Sequence, residues 1–179
     1  MEPVPGKSKT LMERCRAVRW LIVDVDGVLT AGGICYAAGA TTTEIKTFHV
    51  RDGSGLVLWH RAGFRSAIIT GRASPLVAHR AGELGVSRVF QGASDKTPAL
   101  KELMREEGID ASAICYVGDD EPDVPLLRCV GLAVAVADAC PSARAAAHYV
   151  TTAAGGCGAV REAVERILRC QGKMSNAAG

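Results

Sequence analysis

The stretch WLIVDVDGVLT, Trp20–Thr30, decides the fold and raises the chemical question. Leu21, Ile22 and Val23 form an apolar run that reads as a buried strand. Asp24 and Asp26 follow at once, around Val25, and Gly27 opens a turn. A carboxylate at the end of an apolar strand is costly unless it is paired or holds a cation. Two of them there point to a site.

Working outward, similar apolar runs recur: FRSAIIT from Phe64, RVFQG from Arg88, ICYVG from Ile114, LAVAV from Leu132 and HYVTT from His148. Between them lie segments with helical patterning: GSGLVLWHRAG, SPLVAHRAGELG, TPALKELMREEG, EPDVPLLRCVG, PSARAAA and, last, GAVREAVERILRC. Lys9 to Arg19 reads as a short amphipathic helix. Strands alternating with helices imply βαβ units, so the expected fold is α/β: a Rossmann-like parallel sheet with helices on both faces. GICYA and EIKTFHV flank the turn-prone AGATT and predict a small β-hairpin flap, with the second strand running to Val50. One domain over residues 1–179 is expected, with residues 1–8 and 171–179 as loose tails.

Composition excludes several classes. The chain of 179 residues is 48% hydrophobic with a net charge of +2, too near neutral to argue for nucleic acid. Aromatic residues are few, at 4%, which removes a base-stacking surface. No run approaches the roughly 18 consecutive apolar residues of a membrane span, and MEPVPGKSKT lacks the apolar core of a signal peptide. Seven scattered cysteines, an odd number without a C-x-x-C pair, fit reduced thiols and a cytoplasmic location rather than a disulfide framework or zinc site.

In open α/β sheets ligands bind beyond the carboxyl ends of the strands. There the sequence delivers Asp24 and Asp26, then Thr70, Gly71 and Arg72, then Asp95 and Lys96, then Asp119, Asp120 and Asp123. Clustered carboxylates raise one another's pKa, and a hard divalent cation such as Mg²⁺ relieves them, so Asp24 and Asp119 are ligand candidates. Lys96 and Thr70 add donors to oxygen. Cation, ammonium and hydroxyl together suit a phosphoryl group. Asp24 is placed to attack phosphorus, and Asp26 to protonate the leaving oxygen and then activate water.

DVDGVLT, IITGR, Lys96 in SDK and GDDEPD resemble the four ordered motifs of the haloacid dehalogenase superfamily. Over about residues 18 to 168 the chain is more closely similar to the 3-deoxy-D-manno-octulosonate 8-phosphate (KDO 8-phosphate) phosphatases, a subfamily that includes N-acylneuraminate 9-phosphate phosphatases. The resemblance implies that Asp24, Asp26, Thr70 and Lys96 are catalytic, that Asp24, Asp119 and the main-chain carbonyl of Asp26 hold Mg²⁺, and that Asp120 and Asp123 support them. It maps substrate contacts onto Asp26, Thr47, Phe48, His49, Val50, Arg51, Gly55, Thr70, Gly71, Arg72, Arg80 and Lys96. The hairpin stretch AAGATTTEIK carries threonines where family members often have a more charged turn.

About 43 residues separate Asp26 from Thr70 and about 25 separate Thr70 from Lys96, too few for a cap domain. An uncapped site is open to water. The resemblance implies a homotetramer in which neighbouring subunits cover each site, through the hairpin around Ile34 to Val50 and with Arg161 or the C-terminal tail near a neighbour's site. The implied activity is Mg²⁺-dependent hydrolysis of a 2-keto-3-deoxy sugar-acid phosphate, with the arginines as carboxylate partners. The nine-carbon acid 9-phosphates remain an alternative substrate. A non-catalytic oligomerisation module of this fold is an alternative of another class, against which the intact acidic motifs speak.

Overall fold

Helix α1, Leu11–Ala17, begins at a capping box in which Thr10 and Glu13 exchange hydrogen bonds. It leads into β1, Trp20–Val23, whose four residues are all buried. The computed structural model describes residues 9–39 and 42–174. After β1 the chain forms the antiparallel hairpin β2, Cys35–Ala37, and β3, Thr43–Ile45. The remainder alternates: α2 Val50–Arg61, β4 Arg65–Ile69, α3 Pro75–Leu84, β5 Arg88–Phe90, α4 Thr97–Glu107, β6 Ile114–Gly118, α5 Val124–Cys129, β7 Leu132–Ala135, α6 Pro141–Ala146, β8 Tyr149–Val150 and α7 Ala159–Cys170.

Six strands form one sheet in the order β5-β4-β1-β6-β7-β8, every pair parallel. The central strands are continuous apolar runs because both of their faces are covered. The strand order first leaves β1 toward β5 and then returns past it toward β8, and because parallel crossovers are right-handed as a rule, such an order puts helices on both faces. Helices α1, α2 and α7 pack together. The core beneath them includes Trp59, Leu56, Val164 and Leu168, all fully or almost fully buried. The order reverses around β1, so the cleft between the neighbouring strand ends is the natural ligand position.

Two expectations are corrected. The second hairpin strand stops at Ile45 and does not reach Val50, because His49 caps a helix: its Nδ1 accepts the Arg51 N–H at 3.1 Å, and Val50 becomes the first residue of α2. Residues 171–174 are also not loose. Gln171 Nε2 donates to the Cys15 and Val18 carbonyls at 2.9 Å each, and Lys173 Nζ donates to the Ala62 carbonyl at 2.7 Å. Residues 1–8 and 175–179 lie outside the described residues.

Candidate active site

The strand ends deliver their polar groups to one cleft of about 390 Å³, lined by Asp24, Asp26, Thr70, Gly71, Arg72, Ser94, Lys96, Asp119, Asp120, Pro122 and Asp123. Asp24 follows β1 and is locked to β6 by its own N–H, which donates to the Val117 carbonyl at 3.0 Å. Thr70, buried, follows β4, and its N–H donates to the Phe90 carbonyl at 2.9 Å. Lys96 stands at the start of α4 and is 3% exposed, unusual for an ammonium.

That ammonium is held between acids. Its Nζ lies 2.6 Å from Asp123 Oδ1 in a hydrogen bond. It lies 2.9 Å from Asp24 Oδ1, close enough for an ion pair but outside hydrogen-bonding alignment. Burial disfavours the lysine's charge, but Asp24 and Asp123 outweigh it and hold its pKa above the ordinary value. Asp123 is saturated: the Tyr116 hydroxyl also donates to Oδ1, at 2.5 Å, and the Asp119 and Asp120 N–H groups donate to Oδ2 at 2.8 and 3.2 Å. Gly118 permits this turn, since a Cβ there would sit 2.6 Å from Asp123 Cβ.

Asp24, Asp119 and Asp123 bring carboxylate oxygens within 4.8 Å of one another. Burial pushes the Asp24 carboxyl up to about 6, against the pull of Lys96 and with a further push from Asp123. Burial and the neighbouring Asp123 and Asp24 charges push Asp119 up to about 7. With Asp123 saturated, the open acceptors are Asp24 Oδ1 and Asp119 Oδ1, both buried without a hydrogen-bond partner. Two such carboxylates, with room beside them for water and phosphate oxygens, fit Mg²⁺. The loop packs tightly around them: Gly27 has φ of 95°, and a Cβ on it would lie 2.0 Å from Asp119 Oδ2.

Asp26 turns away from this trio. It is ion-paired with Lys46, and Arg72 Nε stands 3.8 Å from its Oδ2. Both cations also contact Glu44, at 3.6 Å for Lys46 and 3.0 Å for Arg72. The Ser74 hydroxyl donates to Glu44 at 2.6 Å, so the hairpin is pinned across the mouth of the cleft.

Thus the structure brings together Asp24, Asp26, Thr70, Gly71, Arg72, Lys96, Asp119, Asp120 and Asp123. It does not bring Thr47, Phe48, His49, Val50, Arg51, Gly55 or Arg80 to the lining of that cleft within one chain. Phe48 packs against the core, and His49 caps α2. Val50 is 76% exposed. Arg51 lines a separate cleft with Cys157, Arg161 and Glu165. Gly55 is where α2 touches α7; a Cβ would fall 2.8 Å from Arg161 Cα. Arg80 borders a groove with Gly53 and Leu84. Sequence reasoning missed Glu44, Lys46, Ser94 and Tyr116. Only Ser94, two residues before Lys96 in the same strand-end loop, carried a local signal.

A haloacid dehalogenase-like hydrolase signature matches residues 82–163. The chain is 44% identical over 172 residues to the 3-deoxy-D-manno-octulosonate 8-phosphate phosphatase KdsC of Escherichia coli (strain B / BL21-DE3), covering 96% of this chain and 90% of that protein. The chain belongs to the KDO 8-phosphate phosphatase family of haloacid dehalogenase-like hydrolases. A family structure, the Moraxella catarrhalis enzyme in complex with magnesium, phosphate and KDO, superimposes with a TM-score of 0.87 at 42% identity, covering 90% of this chain and 91% of that one. A probable YrbI family phosphatase from Pseudomonas syringae superimposes with a TM-score of 0.88 at 43% identity, covering 92% of each chain.

Proposed function

We propose that this protein is a Mg²⁺-dependent phosphatase that removes the terminal phosphate of KDO 8-phosphate. The observation that carries the chemistry is the buried Lys96 ammonium placed between Asp24 and Asp123, beside two carboxylate oxygens with open valences. The eight-carbon substrate rests on identity over nearly the whole chain to KdsC and on the KDO and phosphate held by the Moraxella relative.

In this reading Asp24, Asp119 and the main-chain carbonyl of Asp26 hold the Mg²⁺, which supplies positive charge to neutralise the phosphoryl oxygens. Asp24 attacks phosphorus and forms an aspartyl phosphate as the sugar oxygen leaves. Asp26 gives that oxygen its proton, then takes a proton from the water that hydrolyses the intermediate. Thr70 and Lys96 hold the equatorial oxygens. Asp123 and Tyr116 fix the lysine ammonium, and Asp120 stands at the rim. Arg72, already at the mouth with Asp26, is suited to the sugar acid.

The arginines and the Thr47–Arg51 segment that lie off the cleft fit an assembly in which subunits complete one another's sites. Ile34, Tyr36 and Ile45 on the hairpin, and Val50 after it, are exposed large apolar residues, which supports a homotetramer built through this surface. Among the described residues no helix is long and apolar enough to cross a membrane. With seven free cysteines this supports a cytoplasmic location.

The test is phosphate release from KDO 8-phosphate with and without EDTA, beside an N-acylneuraminate 9-phosphate. Activity that survives chelation or Asp24→Asn refutes the mechanism, and a higher kcat/KM on the nine-carbon acid refutes the substrate. Sedimentation separates the assembly question: Tyr36→Asp is expected to yield monomers of low activity.

A further inference from the structure

A second ammonium beside the cleft is buried, on an element with little cover of its own. Strand β3 of the hairpin is mostly exposed, yet the side chain of Lys46, the next residue, is only 3% exposed. An ammonium taken out of water needs a partner. Lys46 finds Asp26 Oδ1, to which its Nζ donates, and lies 3.6 Å from Glu44 Oε1. The hairpin has other anchors to the body of the protein: Glu44 accepts the Ser74 hydroxyl at 2.6 Å and Arg72 Nη2 at 3.0 Å. Pinning the hairpin therefore does not account for Lys46.

The contact makes the two oxygens of one carboxylate unequal. Asp26 Oδ1 takes the Lys46 ammonium and, at 3.5 Å, the Thr30 hydroxyl. Asp26 Oδ2 is buried and, among the described residues, has no hydrogen-bond partner. Arg72 Nε stands 3.8 Å from it, beyond hydrogen-bonding reach. Asp26 lines the cleft together with Asp24, Thr70 and Lys96. An ammonium offers three donors and no acceptor. The oxygen that accepts one is the poorer place for a further proton, and Oδ2, which meets no donor, is the better one.

We propose that Lys46 is a positioning residue for the acid–base group: by holding Asp26 Oδ1 it presents Oδ2, and the proton on it, to the oxygen that leaves phosphorus. This rests on the phosphatase reading above and adds to it the residue that orients the acid. As the bond from the Asp24 oxygen to phosphorus forms and the bond from phosphorus to the ester oxygen breaks, the Oδ2 proton passes to that ester oxygen. In the second half Oδ2 takes a proton from the attacking water, the bond from water oxygen to phosphorus forms, and the Asp24 oxygen is released. Lys46 keeps its own protons throughout. Losing it shifts the choice of substrate toward esters whose alcohol departs without a proton.

The experiment measures kcat/KM of the full-length protein at saturating Mg²⁺ on p-nitrophenyl phosphate, phenyl phosphate and KDO 8-phosphate. That ratio reports the steps up to departure of the alcohol, so it isolates the first proton transfer. Nitrophenolate leaves readily without a proton, phenolate less so, and a sugar alkoxide hardly at all. A placed general acid contributes about 10²–10⁴-fold, so Lys46→Met is expected to lower kcat/KM about 10²-fold on KDO 8-phosphate, about tenfold on phenyl phosphate and under about threefold on p-nitrophenyl phosphate. Lys46→Arg, which keeps a donor, is expected to recover most of the loss. Neither aryl ester carries a carboxylate, so the ratio between them is blind to a lost sugar-acid contact. Ser74→Ala loosens the hairpin without touching Asp26 and is expected to leave that aryl ratio unchanged. Circular dichroism verifies that each variant is folded. Equal losses on all three esters make Lys46 a structural pin and overturn the inference. A loss on KDO 8-phosphate alone, with the aryl ratio unchanged, makes it a substrate contact and also overturns it, as does a Ser74→Ala variant that reproduces the Lys46→Met pattern. Wild-type rates keep the two readings apart: a wild type active on the aryl esters but not on KDO 8-phosphate refutes the substrate, while the aryl ratio still decides the role of Lys46.

Discussion

Asp52 is 1% exposed and lies in the first turn of α2, yet its bonds go to the far end of the chain. Its carboxylate accepts the N–H groups of Gly158, Val160 and Arg161 at 3.0, 2.9 and 3.1 Å, capping α7 from another helix. Hydrogen bonds to a charged group are worth about 1.5–3 kcal/mol each, roughly 4.5–9 kcal/mol in gross terms for this trio. Burial opposes them: it is the largest influence on the Asp52 carboxyl and raises its pKa despite the three donors, so several kcal/mol are taken back. Asp52→Ala removes both sides and leaves the donors unmet, for a net loss of about 3 kcal/mol, above the usual 0.5–2 for a single cap. At this size that lowers Tm by roughly 6–12 °C. The site feels the change too, because the loop leading to α7 leans on the nucleophile loop: the Gly156 N–H donates to the Val28 carbonyl at 2.8 Å. Urea unfolding and differential scanning calorimetry, with kcat/KM on the same samples, measure the effect. A loss under 1 kcal/mol, or a full loss of stability with kcat/KM unchanged, refutes the cap or its link to the site, respectively.

Lys96→Met keeps the stem and removes the charge between Asp24 and Asp123, so kcat is expected to fall at least about 10³-fold with secondary structure retained; a fall under tenfold in steady-state kinetics removes Lys96 from the phosphoryl clamp. Gly27→Ala places a methyl against Asp119 at a backbone angle that favours glycine, and is expected to weaken Mg²⁺ binding about tenfold by isothermal titration calorimetry. Without metal, Asp24 and Asp119 have folded-state pKa values near 6 and 7, above the ordinary carboxylate value of 3.8, so the folded state holds more protons than the unfolded one between about pH 4 and 7. Their contribution to stability is therefore present at low pH and lost as pH rises through 6 to 7. Mg²⁺ offsets that loss, and its Tm gain is expected to be larger at pH 8 than at pH 5; the reverse order refutes the assignment.

What the sequence made legible followed from local physics. Leu21–Val23, Ile114–Val117 and Leu132–Ala135 read as buried strands because an uninterrupted apolar run needs cover on both faces, and the acids after them read as a site because nothing in a core requires them. The start of α2 was misread because T-F-H-V imitates alternation, whereas His49 acts through its side chain as a cap. Asp52 carried no signal in the sequence, since the donors it serves are more than a hundred residues away in the chain.

The half of the site that stayed hidden has a common physical character. Lys46 and Glu44 belong to a short, mostly exposed hairpin, where alternating charge ordinarily means solvent. Their partners Asp26, Arg72 and Ser74 follow β1 and β4, and no periodicity connects the two regions. Tyr116 was hidden for the opposite reason: inside an apolar strand it reads as core, and its ring is core, with only the hydroxyl reaching Asp123. The groups posed to react are thus readable because each strand end isolates them. The groups that hold the reacting ones in place are recruited across the fold. They also divide the cleft electrically: Lys96, Asp123 and Tyr116 form a buried, hydrogen-bonded floor in which Asp123 is saturated and Lys96 still faces Asp24, while Lys46, Glu44, Arg72 and Asp26 form a rim of exchangeable ion pairs. A phosphoryl group needs the fixed floor, and a sugar acid that must enter and leave needs the exchangeable rim. Substrate choice should therefore be altered first by changes at the hairpin, and rate by changes beneath Asp24.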